Sequence, residues 1–175
     1  MSLESGLTTL GVRLAYATES TAGTKPANSG SGTSIQYAFT ELSRINAIGG
    51  ASLDVENIDT SALVDAITRY KPGRADTGGS FPITVNITDT TITEWETCIS
   101  TYKALTGGKR MWFQIWHPEL TKSFFIVAAP PTKIPMPETN QNENWTVEMN
   151  LTIEEFIGAD TAVPFAHTEG DSNAA

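Results

Sequence analysis

The fold of this chain is decided by residues 78–116, which read GGSFPITVNITDTTITEWETCISTYKALTGGKRMWFQIW. Large apolar residues alternate with small or polar ones from Phe81 to Ile87, and this period of two predicts a half-buried β-strand. The pattern then changes to the period of a helix. Large side chains from Trp112 to Trp116 predict a second strand. The segment is therefore predicted to be strand, helix, strand, and its helix is the only convincing one in the sequence.

The predicted helix has one apolar face that we expect to pack on the core. Its candidate core residues are Ile92, Trp95, Ile99 and Tyr102, with Cys98 and Leu105 beside them. Thr91, followed three residues later by Glu94, matches a capping box, and Asp89 offers a further cap oxygen. Gly107 and Gly108 supply the left-handed residues that commonly end a helix.

The N-terminal half predicts strands that flank a loop of small residues. Alternation from Leu10 to Tyr16 indicates a first strand, and residues 18–34 consist mostly of Gly, Ser, Thr, Ala and Pro, which predicts a mobile loop. Residues 36–58 are predicted to form a long hairpin that turns at Gly49-Gly50 and has one polar, partly acidic face.

The next segment, residues 59–80, is predicted to be a long connection. Its middle, Ser61 to Tyr70, could form a short helix, and the Pro and Gly residues that follow interrupt regular structure. A connection of this length inside a compact domain usually has a function or is flexible.

The C-terminal half predicts a hairpin from Met111–His117 and Lys122–Ala129, followed by a last strand in which Val147 to Ile153 alternate inward and outward. In total we expect a mainly β fold, a β-sandwich or barrel of about seven strands with one packed α-helix. Residues 1–158 are expected to form a single domain, with an N-terminal arm and loop over about 1–35. Residues 159–175 are expected to be an acidic arm or a disordered tail.

Composition excludes several classes of function. The 175 residues carry a net charge of −9, and after Lys133 there are eight acidic residues and no Lys or Arg. With no basic stripe, stable nucleic-acid binding is not expected. The acidic bias serves either solubility or a surface that must not adhere to a polyanion. No apolar run is long enough to span a membrane, so no membrane insertion is expected, and the first residues do not have the pattern of a signal peptide.

Candidate catalytic residues are few. His117 precedes a proline and is interpreted as a turn residue, and His167 lies far from it in the sequence. Cys98 falls on the apolar helix face and is interpreted as a small buried hydrophobe. Gly107-Gly108-Lys109 lacks the spacing of a phosphate-binding loop. We therefore expect no enzymatic activity, no catalytic residue, no metal site and no cofactor.

An ordered set of segments resembles a known family. The segments are Thr40–Ile45 before Gly49-Gly50, the polar connection Arg69–Gly79, the strand Ser80–Asn86, the helix end Tyr102–Gly108 and the strand and turn Phe113–Pro118. Together they resemble the major tail (tail tube) proteins of long-tailed bacteriophages, over roughly residues 36–158. The small-residue loop of 18–34 has no place in that family pattern.

The resemblance implies a structural virion protein that assembles into hexameric rings. The rings would stack into a hollow tail tube through which double-stranded DNA passes into the host. The implied partners are the chain itself, the tape-measure protein, the tail terminator and the distal tail or baseplate proteins, with only transient, non-specific passage of DNA. The implied location is the virion tail, after synthesis in the cytoplasm of the bacterial host.

The resemblance also implies roles for individual residues. The hairpin of residues 36–58 would line the channel, with Asp54 and Glu56 on the channel wall, where negative charge keeps DNA from adhering. Alternatively, these two carboxylates merely solvate the outside of a sheet. Residues 59–80 would form a loop that reaches the adjacent ring, with five candidate contact residues, namely Asp59, Leu63, Tyr70, Arg74 and Asp76.

Two other classes of protein remain open at this stage. One is a ring-forming relative of the same fold, such as a secretion-system tube component or the distal ring of a tail. The other is a glycan-binding β-sandwich, in which Trp112, Trp116 or Trp145 would stack on sugar, although these tryptophans are better interpreted as core or subunit-interface residues.

Overall fold

The computed structural model describes residues 6, 9, 11–62, 67–76 and 78–166. Over these residues the fold is mainly β, with nine strands in antiparallel sheets and one packed α-helix, which confirms the predicted class. The elements are β1 (Arg13–Thr18), a short 3-10 turn (Gly32–Ser34), β2 (Thr40–Leu42), β3 (Ile45–Ile48), β4 (Asp54–Asp59), β5 (Tyr70–Asp76), β6 (Ser80–Asn86), α1 (Asp89–Lys103), β7 (Met111–Trp116), β8 (Lys122–Ala129) and β9 (Thr146–Thr161).

Seven strands form one sheet, in the order β2-β1-β7-β8-β9-β6-β3, while β4 and β5 form a separate pair. The two edge strands, β2 and β3, are consecutive in the chain, with only Ser43 and Arg44 between them. Because three residue steps span at most about 11 Å, the sheet must curl until its edges approach each other. Arg44 makes this link in a left-handed conformation, with φ of 53°.

The concave side of the curled sheet encloses the main hydrophobic core. Its buried members come from six strands and the helix: Leu14, Tyr16, Leu42, Phe81, Ile83, Val85, Trp95, Cys98, Met111, Phe113, Ile126, Ala128, Val147, Met149, Leu151 and Ile153. The inward alternation predicted for Phe81–Val85 and for Val147–Ile153 is confirmed, since every second residue there is buried. Trp95 of α1 is fully buried in this core.

Helix α1 begins one turn earlier than the sequence pattern suggested. Thr88 is the N-cap and exchanges hydrogen bonds with Thr91, so the capping box is Thr88–Thr91 rather than Thr91–Glu94, and Asp89 lies in the first turn. Glu94 has another role, because its carboxylate accepts hydrogen bonds from the backbone N–H of Ser43 at 2.9 Å and from the Ser43 hydroxyl. The helix is thereby tied to the link between the two sheet edges.

A second cluster covers the opposite face of the sheet. It contains Ala15, Ala17, Phe39, Trp112, Phe125 and Val127, packed against Ala38, Ile157, Val163 and Phe165. Strands β1, β7 and β8 therefore have apolar residues on both faces, which is why large apolar residues are consecutive in β7 and β8. Gln114 holds the segment around Val163 against the sheet, because its side-chain amide both donates a hydrogen bond to and accepts one from the backbone of Val163.

The loop of small residues, predicted to be mobile, is anchored to the C-terminal segment. The ammonium group of Lys25 donates to Asp160 and to the carbonyl of Thr161, and it lies over the ring of Phe125. The Asn28 amide donates to the carbonyl of Pro164 at 2.6 Å. Strand β9 continues through Gly158, where we expected the domain to end, and reaches Thr161.

The predicted hairpin of residues 36–58 is wrong. Strand β3 pairs with β6, and the N–H of Gly49 extends that ladder by donating to the carbonyl of Pro82 at 2.8 Å. A Cβ atom on Gly49 would lie 2.5 Å from the Pro82 ring, so glycine is required here by close packing and not by a hairpin turn. The partner of β4 is β5, which occupies part of the predicted connection.

The predicted connection of residues 59–80 therefore contains a strand. Tyr70 is the first residue of β5 and cannot end a helix as predicted, while residues 63–66 lie outside the described part of the chain. Pro72 is tolerated within β5, since both strands of a two-stranded pair are edge strands.

One carboxylate, that of Glu19, is fully buried just beyond β1. It accepts hydrogen bonds from Trp112 Nε1 at 2.9 Å, from the backbone of Gly23 and from the backbone and guanidinium of Arg110. Burial by itself would raise the pKa of Glu19, but these hydrogen bonds outweigh it and hold the pKa below its usual value. Arg110 also pairs with the more exposed Glu155.

We predict that Glu19→Gln lowers the free energy of unfolding by about 1–3 kcal/mol at neutral pH. Because the pKa of Glu19 is lower in the folded state, its contribution is complete above about pH 4.3, the pKa of an unfolded glutamate. The contribution is lost as the pH falls through the lower folded-state pKa. Urea unfolding of both proteins between pH 3 and 7 measures the difference. Glu155→Gln is the control, with an expected change below about 1 kcal/mol, and an equal loss in both variants would contradict the assignment.

Candidate functional site: an exposed hairpin

The most distinctive surface element is the hairpin formed by β4 and β5. In the described part of the chain it is not hydrogen-bonded to the seven-stranded sheet. Every residue of the two strands is exposed except Gly73, which is half-buried. A six-residue strand spans about 20 Å, so the hairpin is a substantial structure with little support from the core. Isolated two-stranded hairpins are only marginally stable in water.

The hairpin is irregular near its middle. Val55 pairs with Ala75 and Asn57 with Pro72, so Glu56 lies opposite two residues, Gly73 and Arg74. A Cβ atom on Gly73 would lie 2.9 Å from the carbonyl oxygen of Glu56 and equally close to the side chain of Ile58. Glycine is therefore required at this bulge.

The structure brings together residues for which the sequence suggested two different roles. Asp54 and Glu56, the candidates for the channel wall, share a shallow, open concavity with Arg74 and Asp76, two candidates for contact with an adjacent ring. Asp54 pairs directly with Asp76 across the strands. Four charged side chains, three of them acidic, are thus concentrated at the end of the hairpin where β4 begins.

The remaining candidates lie toward the tip of the hairpin. Asp59 pairs with Tyr70, and the Thr60 N–H donates to the carbonyl of Arg69 beyond them. Hydrogen bonds from the hydroxyl and the backbone N–H of Ser61 lower the pKa of Asp59. The fifth candidate for this contact, Leu63, lies outside the described residues.

The sequence analysis missed the apolar character of this hairpin. Val55 and Ile58 are 42% and 53% exposed, and Ile67 and Tyr70 near the tip are 77% and 62% exposed. Clustered apolar side chains on a projecting element mark an interaction surface more often than scattered ones do. Their periodicity could not reveal this, because an apolar residue on a strand is normally directed at the core.

The candidate core residues of the helix are buried or half-buried. Trp95 and Ile99 are buried, and Ile92 and Tyr102 are half-buried at the edge of the helix. The Tyr102 hydroxyl donates to Glu154 at 3.0 Å, and desolvation together with that carboxylate raises the pKa of Tyr102. Burial raises the pKa of Cys98 to about 12, so its thiol stays protonated at neutral pH, as expected of a buried hydrophobe.

Chemical sites are not apparent elsewhere in the described ranges. His117 is 8% exposed and its Nδ1 accepts the backbone N–H of Glu119, which places it in the predicted turn. Residues 11–62, 67–76 and 78–166 contain no group of three or more His, Cys, Asp or Glu side chains that could hold a metal ion. Over the same residues, no helix has the length and apolar character needed to cross a membrane.

The three tryptophans considered for sugar stacking differ in exposure. Trp112 is buried and hydrogen-bonded to Glu19, and Trp116 packs edge-on against Phe165 with its ring centroid 5.4 Å away. Only Trp145, which is 53% exposed, presents a free face among these three. The set therefore does not form a flat aromatic platform of the kind that a sugar would require.

The fold is similar to those of proteins from an extracellular contractile injection system and from the anti-feeding prophage. A chain of the PVC sheath/tube terminator of an extracellular contractile injection system, in the extended state, matches with a TM-score of 0.55 at 12% identity, over 90% of this chain and 99% of that one. The tube-terminating cap of the anti-feeding prophage matches with a TM-score of 0.54 at 12% identity, over 93% and 95%. A chain of the six-fold symmetrised anti-feeding prophage baseplate gives 0.50 at 7%, over 92% and 98%.

Comparison of the sequence with protein-family models and with curated proteins gives no match. At these identities the structural likeness establishes the fold alone. It is a fold found in phage-tail-related particles, as the resemblance implied, and the three structures named here are those of a terminator, a cap and a baseplate.

We predict that Gly73→Val disorders the hairpin without unfolding the core, because the added atoms collide with the backbone of Glu56. Amide exchange should accelerate throughout β4 and β5, while the global free energy of unfolding changes by no more than about 0.5 kcal/mol, as for other surface sites. Hydrogen-exchange mass spectrometry measures the amide exchange, and urea unfolding measures the global free energy. Ala75→Val, at an exposed position of the same strand, is the control. Unchanged exchange in Gly73→Val would contradict the assigned bulge.

Proposed function

We propose that this chain is a structural tail protein of a phage or phage-like particle and has no enzymatic activity. Copies of the chain would form hexameric rings that stack into the hollow tail tube through which double-stranded DNA passes. The observation that carries the proposal is the exposed, partly apolar hairpin β4–β5, whose outer edges lack strand partners in the described part of the chain, on a fold shared with tube-terminating proteins of injection systems.

The unpaired edges of the hairpin support assembly of identical copies. In the described part of the chain, neither β4 nor β5 has a second strand partner. If the free edge of β4 in one copy paired with the free edge of β5 in the next, each backbone edge would be satisfied. Such a head-to-tail contact is heterologous, and it closes into a ring when the rotation between copies allows.

Within that ring, Asp54 and Glu56 would belong to the channel wall, as the family resemblance implies. They are exposed on the hairpin and lie in a mainly acidic concavity with Asp76 and Arg74. Negative charge along a channel repels the phosphates of passing DNA and prevents adhesion. Asp59, Leu63, Tyr70, Arg74 and Asp76 would contribute to contacts with the adjacent ring.

The other proposed partners follow from a place in the tail. They are the tape-measure protein inside the tube, the terminator at one end and the distal tail or baseplate proteins at the other. The proposed location is the virion tail, with synthesis and assembly in the bacterial host.

The first test is electron microscopy of the full-length protein, concentrated and left for several days. Hollow tubes of uniform width with a regular axial repeat are the expected result. Because assembly of such proteins is often nucleated, a monomeric sample would be mixed with the tail-tip complex of the particle. Failure to extend from that complex would overturn the tube function.

We further predict that the double substitution Asp54→Lys and Glu56→Lys slows passage of DNA but leaves tube formation intact. Two added cations per subunit would attract phosphate groups along the whole channel. The measurement is the rate of DNA release from particles carrying the variant, with tube length determined by microscopy. Glu96→Lys, at an exposed position of α1, is the control, and normal release from the double variant would contradict the channel position.

A third prediction concerns the tip of the hairpin. Replacing residues 61–68 with Asn-Gly, a two-residue turn that suits a hairpin, should leave a folded subunit that forms rings or monomers but no long tubes. Circular dichroism checks folding, and microscopy checks length. Tubes of normal length would show that the tip does not contribute to the contact between rings.

A terminator or cap is the second candidate function, favoured by the two structures that match with TM-scores of 0.55 and 0.54. In that case the protein would form a single ring that stops growth. Adding it to preformed tubes distinguishes the two functions, because a tube protein lengthens them and a terminator prevents further elongation. A secretion-system tube component would also lengthen tubes in this experiment, but only tubes of its own kind.

A further inference from the structure

A small apolar pocket lies on the side of the molecule where α1 begins. It has a volume of about 160 Å³ and an entirely apolar exposed lining. The walls come from the start of α1, from β6 and β9, and from the segment of residues 134–145. The residues that matter here are Ile87, Ile92, Trp95, Ile134, Pro137 and Trp145.

The size of the pocket limits what it can hold. Cofactor and drug-sized sites occupy about 300–1,000 Å³, whereas a cavity of about 150 Å³ accepts a group the size of benzene. The pocket is therefore suited to one branched aliphatic or aromatic side chain. Trp95, fully buried, and Trp145, 53% exposed, belong to its floor and its rim respectively.

The surroundings of the pocket are acidic. A neighbouring polar hollow shares Trp145 with it and is lined by Glu138 and Glu143. Residues 134–146 contain these two acidic residues and no Lys or Arg, and Lys133 immediately precedes Ile134. A matching partner would therefore present one apolar side chain beside positive charges, since complementary charge sets both the register and the rate of association.

The hairpin tip of this same chain presents an exposed apolar side chain with two positive charges on its C-terminal side. Ile67 is the most exposed large apolar side chain of the described tip, at 77%; Arg69 and Lys71 follow within four residues, and Asp65 precedes it by two in the sequence. Ile67 is exposed in the single molecule, so it does not fill the pocket of its own chain.

We propose that the pocket beside Trp145 receives the Ile67 side chain from the hairpin tip of a second copy of this chain. Arg69 and Lys71 of that copy face Glu138 and Glu143. The contact is heterologous, because tip and pocket are different surfaces, and it therefore repeats from copy to copy. This inference rests on the proposed self-assembly and names the surface that receives the tip.

The direct test is disulfide cross-linking between two full-length variants, Ile67→Cys and Ile134→Cys, mixed and mildly oxidised. The natural Cys98 does not compete, since it is fully buried and burial raises its pKa to about 12. Ile67→Cys mixed with Phe124→Cys is the control, because Phe124 is exposed at 53% on β8, outside the pocket. We expect the mixed dimer that joins the two introduced thiols, identified by peptide mass, to exceed the control dimer by at least about tenfold, as specific docking exceeds chance encounter.

Charge reversal provides a second, reciprocal test in the same cross-linking pairs. Arg69→Glu with Lys71→Glu in the tip variant, or Glu138→Lys with Glu143→Lys in the pocket variant, should each lower the yield roughly tenfold, because like charges are then juxtaposed. Combining both reversals should restore it. Each variant is first checked for native thermal unfolding, so that a lost cross-link cannot be attributed to misfolding.

The outcomes separate this inference from the proposed function. Cross-linking with restored yield in the combined reversal supports the contact, even if microscopy shows only short oligomers and the tube function fails. Tubes without the cross-link, or cross-linking that charge reversal does not change, overturn the pocket contact and leave the tube function standing. Absence of both tubes and cross-link overturns both.

Discussion

The link between Leu42 and Ile45 constrains the whole domain. Two residues join the opposite edges of a seven-stranded sheet, so the sheet has to curl, and α1 must lie where the curled edges meet. Glu94 makes this arrangement specific, since its carboxylate holds both the N–H and the hydroxyl of Ser43. A hydrogen bond to a charged acceptor at about 2.9 Å is among the stronger single contacts available to a protein, and here it connects the helix to both edges of the sheet.

The core and its cover occupy only part of the surface of the curled sheet. Large side chains from six strands and from α1 fill the concave side, and the anchored segments around Phe39 and Phe165 cover part of the convex side. What remains is the exposed hairpin, which has little support from its own domain, and the pocket beside Trp145, which is formed by α1, β6, β9 and the segment of residues 134–145. Because a two-stranded pair gains most from partners that satisfy its edges, the proposed contact between the projecting hairpin and the pocket would let identical copies join while each domain keeps its own core.

The sequence alone determined the local structure wherever one face of an element is buried. Alternation in Phe81–Val85 and Val147–Ile153, and the helical spacing from Ile92 to Tyr102, defined these elements, because burial of one face imposes a definite period. It determined one strand pairing, since the hairpin predicted from Met111–His117 and Lys122–Ala129 is confirmed by β7 and β8, but it did not determine the pairings of β3, β4 and β5. Gly49 belongs to a Gly-Gly sequence typical of a hairpin turn, yet it is required by contact with Pro82, and β4 pairs with a strand that contains proline and glycine.

The candidate site, too, could be predicted only in part from the sequence. Its acidic residues, Asp54 and Glu56, could be selected from charge and family resemblance. That Arg74 and Asp76 stand beside them depended on the register of β4 with β5, and the exposure of Ile67 is known only from the structure. Strand pairing joins residues far apart in the chain through backbone groups that every residue possesses, so only the tertiary structure decides it.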